Sequence, residues 1–104
     1  MAQKENNIIP MIFDEAFYRK MATQKWRQQD YKKAAEYYEK VLELSPKDFD
    51  IQQHYAQCLV KLNIGKKAER LFYENIVKDF HVAESFYELS QLNIELNEPN
   101  KAFL

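Results

Sequence analysis

Apolar residues along this chain recur three and four positions apart, in short runs separated by polar breaks. From about Glu15 to Arg27, Phe17, Met21 and Trp26, with Ala22, share one face of a predicted helix. Gln28-Gln29-Asp30 interrupts the pattern, and Asp30 suits the N-cap of a second helix. The apolar face of that helix is Tyr31, Ala34, Ala35, Tyr38, Val41 and Leu42. Ser45-Pro46 ends it, because proline disfavours helical geometry in the residue before it. Asp48 can cap a third helix carrying Ile51, Tyr55, Leu59 and Leu62. Asn63-Ile64-Gly65 predicts a turn, and Ala68, Leu71, Phe72 and Ile76 mark a fourth helix. A fifth is expected from about Val82 to Leu96, and Asn97-Glu98-Pro99 introduces a sixth, with proline suited to a first helical turn.

These helices share a register. Ala34, Ala68 and Ala102 recur every 34 residues, and twelve residues before each stands another small residue, Ala22, Ala56 and Ser90. Large apolar residues, Met21, Tyr55 and Leu89, immediately precede those. Tyr38 and Phe72 follow the first two alanines by four positions. Small residues let two helices approach closely, while Tyr38 and Phe72 are large enough to fill the space between successive hairpins. A coiled coil would show sustained heptads, and none is present.

The segment Glu15 to Asp48 closely resembles the tetratricopeptide repeat family. Tyr18 sits at the family's aromatic position, Met21-Ala22 where it has Leu-Gly, and Asp30-Tyr31 at its turn, with Ala34, Tyr38 and Ser45-Pro46 completing the pattern. The large aromatic late in the first helix comes one place later, as Trp26, with Lys25 in its usual spot. A second copy, Phe49 to Val82, has Gln52 for the aromatic and Phe80 for the usual proline. A third, from Ala83, keeps Phe86, Leu89, Ser90 and Ala102. The resemblance implies an all-α fold of antiparallel helix hairpins stacked as a short right-handed superhelix. It would hold about two and a half repeats, 15–48, 49–82 and a truncated 83–104, behind an N-terminal extension or cap over 1–14.

In this family the first helix of each repeat lines a concave groove that holds a peptide or helix. Carried onto this chain, the groove residues are Arg19, Thr23, Trp26 and Arg27, then Gln53, His54, Gln57 and Lys61, then Glu84, Tyr87, Glu88, Gln91 and Glu95. Long polar side chains with a few aromatics suit a ligand read by hydrogen bonds and charge. The implied function is a protein–protein interaction scaffold or adaptor. The alternatives are a secretion chaperone of the same repeat type, and a docking or dimerisation module of a larger multi-repeat protein without a peptide ligand. One branch of the family clamps acidic C-terminal tails of heat-shock chaperones with lysines and asparagines. Arg19, Thr23, His54, Glu84 and Glu88 stand at those places, and two carboxylates would repel the carboxylate they should grip.

Composition narrows the function further. One glycine and three prolines in 104 residues leave little material for hairpin turns, and 46% hydrophobic content is enough for a packed interior. A net charge of -1 argues against nucleic acid as a partner. The charge is uneven: no Lys or Arg lies between Lys78 and Lys101, whereas Arg19, Lys20, Lys25 and Arg27 cluster early. Cys58 is alone, which excludes an internal disulfide and favours a reducing, cytoplasmic setting. Ile8-Ile9-Pro10-Met11-Ile12-Phe13 is too short to span a bilayer, so no membrane association is expected, and the strip is expected to pack on the first helix. His54 and Cys58, four apart, do not complete a zinc site, and no metal or cofactor is expected. No glycine-rich phosphate loop or nucleophile–base motif is present, so the chain is not expected to be an enzyme. A sixth helix ending at Leu104 would be barely one turn long and leave Phe86 and Leu89 bare, so the sequence is expected to be the N-terminal piece of a longer repeat protein or to self-associate through that end.

Overall fold

Five helices follow one another in the computed structural model, which describes residues 14–96, the side chains of 93–96 excepted. They are α1 (Glu15–Arg27), α2 (Tyr31–Leu44), α3 (Phe49–Lys61), α4 (Gly65–Val77) and α5 (Val82–Leu96). The strip 8–13 and the sixth helix expected from Pro99 lie outside the described residues.

Three aspartates start the first three helices. Asp14, Asp30 and Asp48 each accept the backbone N–H three residues on, from Phe17, Lys33 and Ile51, at 3.0, 3.2 and 3.1 Å. Glu15 in the first turn of α1 and Lys25 and Arg27 in its last complement the helix dipole. Helix α2 stops at Ser45, whose backbone, at φ -137° and ψ 77°, has left the helical region that the proline after it disfavours. Helix α4 begins differently: its N-cap is Ile64, with no side-chain hydrogen bond. The turn expected over Asn63-Ile64-Gly65 is made by Asn63, at φ 64°, while Gly65 is the first residue of the helix. Asparagine tolerates the left-handed region better than most residues with a Cβ. Gln29 and Asp79 take the same conformation one residue past the C-caps of α1 and α4.

Each helix packs chiefly on its sequence neighbours, α1 on α2, α2 on α3, α3 on α4 and α4 on α5. The small residues of the repeat lie at these contacts: Ala22, Ala34, Ala56 and Ala68 have no exposed surface. Phe72 is equally buried and Tyr38 nearly so, as their size implies for residues wedged in the core. Leu89 and Leu92 carry the core into α5.

The second hairpin also buries polar groups. Gln52 Nε2 donates to Asn75 Oδ1 at 3.0 Å, and Asn75 Nδ2 donates to Gln53 Oε1 at 2.8 Å and to the Phe49 carbonyl at 3.2 Å. Ser85 Oγ donates to the same Gln53 oxygen at 3.0 Å, so the network joins α3, α4 and α5. At the loop edge, Phe80 stacks on Phe49 with centroids 5.0 Å apart, filling with an aromatic ring the place where the repeat usually has proline.

Candidate partner-binding groove

Helices α1, α3 and α5 are linked through polar side chains. Arg19 of α1 binds Asp48, the cap of α3. Gln57 of α3 donates to Glu88 Oε2 of α5 at 3.4 Å. A cleft of about 260 Å³ crosses all three helices, lined by Trp26, Gln57, Val60, Lys61 and Glu88. The Trp26 ring meets Tyr31 edge-on at 5.2 Å, and Lys61 Nζ lies 5.9 Å from the Tyr31 ring centroid. One wall is therefore aromatic and aliphatic, with an ammonium group on one side and a carboxylate on the other. Such a notch suits a single partner side chain with an apolar body and polar neighbours.

A second depression, about 470 Å³, runs along α1 between Arg19, Lys20, Thr23, Gln24 and Arg27. Not all of its charge is free. Arg19 is held by Asp48 and Glu15, and those hydrogen bonds raise its pKa further. On the Asp48 side, burial alone would raise the carboxyl pKa, but the bonds from Arg19 and the Ile51 N–H outweigh it and leave it lowered. Thr23 turns its hydroxyl to the Arg19 carbonyl at 3.0 Å. Lys20 and Arg27 carry no ion pair among the described residues.

The expected groove residues thus separate. Trp26, Gln57, Lys61 and Glu88 converge on the cleft, and Arg19, Thr23 and Arg27 line the depression beside it. Glu84, Tyr87 and Gln91 stand exposed along α5, with Glu84 3.7 Å from His81. His54 is exposed, but its ring stacks on Tyr38 of α2 and lines neither depression. Gln53 is 3% exposed and engaged by Asn75 and Ser85, so it joins helices and presents almost no surface. The Glu95 side chain lies outside the described ones. Val60, Lys20 and Gln24 were not anticipated, although each stands three or four positions from an anticipated residue on the same helical face.

Cys58 faces the core with no exposed surface, so the His54–Cys58 spacing does not bring the two onto a common surface. Among the described residues no group of three or more metal-ligating side chains occurs, and no helix is long and apolar enough to cross a membrane.

A stack of antiparallel helix hairpins, with a polar face built from the first helix of each, defines a helical-repeat interaction module. Residues 25–72, from the end of α1 through most of α4, match the model of the tetratricopeptide repeat family, and the chain has this all-α repeat fold. Comparison with curated proteins and with solved structures returned no match.

Proposed function

We propose that the chain is a cytoplasmic scaffold or adaptor that binds a segment of a partner protein on the face formed by α1, α3 and α5. The cleft lined by Trp26, Gln57, Val60, Lys61 and Glu88 carries this reading, because it draws on every repeat at once. An extended segment lying across the helices would set one side chain there and pass Lys20 and Arg27 of α1, which carry no ion pair among the described residues, and the exposed Glu84 of α5. Trp26 supplies contact area at low entropic cost, as in interface hot spots. The lone, fully buried thiol of Cys58 suits a reducing compartment.

Affinity capture from a lysate tests this with two paired variants of equal charge change. Arg27→Glu with Lys61→Glu should lower recovery of the captured partner at least tenfold, with helicity unchanged. Lys32→Glu with Lys33→Glu, on exposed positions of α2, should leave it intact. Equal loss in both pairs would move the binding face away from α1 and α3.

A second reading, a module that self-associates, has its own observation. Phe86, Tyr87 and Val77 are 56%, 63% and 79% exposed near the C-terminal end of the stack. Sedimentation from micromolar to millimolar concentration separates the two, since association that Phe86→Ser abolishes belongs to this surface and not to the cleft.

A further inference from the structure

The loops between repeats carry another cleft, about 570 Å³ in volume and free of groove residues. Ser45, Pro46, Lys47 and Asp48 of the α2–α3 loop line it together with Phe49 and Asp50 of α3 and Phe80 of the α4–α5 loop. The two phenyl rings stack, and Phe80 is still 43% exposed. Apolar surface is therefore open to water in a space within the range of about 300–1,000 Å³ that ligand clefts occupy.

Helix α1 begins beside this place. Ser45 Oγ, on the cleft wall, donates to Glu15 Oε1 at 2.6 Å, and Arg19 binds the neighbouring Asp48. These contacts pin the first turn of α1 against the loop that builds the cleft. The run Ile8-Ile9-Pro10-Met11-Ile12-Phe13 ends two residues before Glu15. At about 3.3–3.6 Å per extended residue, the stretch from Ile8 to Glu15 reaches up to about 25 Å, ample to enter the cleft. Pro10 disfavours helix at Ile9, and an extended strip is the shape an open cleft accepts. A separate molecule would lose translational freedom on binding, whereas a short tether supplies a local concentration on the order of millimolar.

We propose that the cleft between Pro46, Phe49 and Phe80 is the docking site of the chain's own segment Ile8–Phe13. Docking covers the exposed Phe80 ring and fastens the strip to both inter-repeat loops, away from the partner-binding face.

Disulfide trapping in the full chain tests this. Met11→Cys with Lys47→Cys places one thiol in the strip and one on the cleft wall, and native Cys58, buried with its thiol pushed up to about 12, does not compete. An intrachain disulfide should form under mild oxidation at a rate independent of protein concentration. Adding Phe80→Ala, or instead Ile12→Asp, should slow it at least tenfold, with helicity checked in each. Phe80 is not in the buried core, and the strip variant keeps the test sharp if the cleft variant loosens the loop. Rates within twofold of the parent pair in both variants would reduce the effect to the tether alone and overturn the proposal. Interchain disulfides that increase with concentration would assign the cleft to a second copy and overturn it as well.

Discussion

Asn75 donates its side-chain amide to Gln53 across 2.8 Å in the interior of the second hairpin, and Ser85 donates to the same oxygen from α5. In the first hairpin the position 34 residues earlier is Val41, also fully buried. One hairpin is thus sealed by aliphatic packing, and the next by a polar network that reaches into its neighbour. A hydrogen-bonded network tolerates one arrangement of its members, while an apolar contact tolerates several.

Asn75→Val should therefore be costly although it copies the first hairpin. It leaves Gln52 and Gln53 buried with fewer partners, a loss of about 1–3 kcal/mol. Adding Gln52→Leu, Gln53→Leu and Ser85→Ala should restore most of it, because the side-chain groups that would be orphaned go too. Urea denaturation of the single and quadruple variants decides the matter; a single variant as stable as the parent would show that the network adds nothing.

Tyr38→Ala and Phe72→Ala should each cost about 3–5 kcal/mol through lost burial and a residual cavity. That is a large share of the stability of a small domain. Thermal melts within a degree or two of the parent would contradict the wedge role of these rings.

Acid should unfold the chain partly through the contact between α1 and the α2–α3 loop. Glu15 is lowered by the Ser45 hydroxyl and Arg19, and Asp48 is lowered by Arg19 and the Ile51 N–H against the effect of burial. Below their ordinary values of 4.5 and 3.8 the unfolded chain binds more protons than the folded one. This contribution is full above that range and disappears as pH falls through the lowered folded values. Asp48→Asn keeps the capping oxygen but not the charge, so its stability should fall less steeply between about pH 5 and pH 2. An unchanged slope would remove Asp48 from the transition.

Cys58 should resist alkylation in the folded chain. It has no exposed surface, and burial pushes its thiol up to about 12 from 9.0. The sign follows: the neutral thiol is favoured by folding, so its contribution is present below pH 9 and is lost as pH rises toward 12. At pH 8, modification should proceed only through opening of the structure and accelerate in step with added urea. A rate close to that of a free thiol would mean α3 is not packed as described.

Much of this architecture was legible in the residues alone. The 34-residue recurrence of alanines and aromatics expresses a local rule, close approach of two helices, that needs only the residues at the contact. The aspartate caps and Ser45-Pro46 act within one turn of chain, and they set the starts of α1, α2 and α3 and the end of α2. Part of the cleft could be read for the same reason: the repeat register picks out Trp26, Gln57, Lys61 and Glu88 on α1, α3 and α5, and all four line it.

What the sequence could not decide were the pairings between hairpins. Gln53 holds a groove position by register yet is buried, because Ser85 and Asn75 arrive from two other helices and enclose it. Arg19 reads as a free cation until Asp48, 29 residues on, occupies it. Phe80 looks like a lost proline until it stacks on Phe49, 31 residues before it. The chain by itself determined each helix and the face it buries, since those depend on neighbours within a turn or two. Only tertiary packing decided which polar groups on those faces stay available to a partner, because burial and pairing are set by residues distant along the chain and close in space.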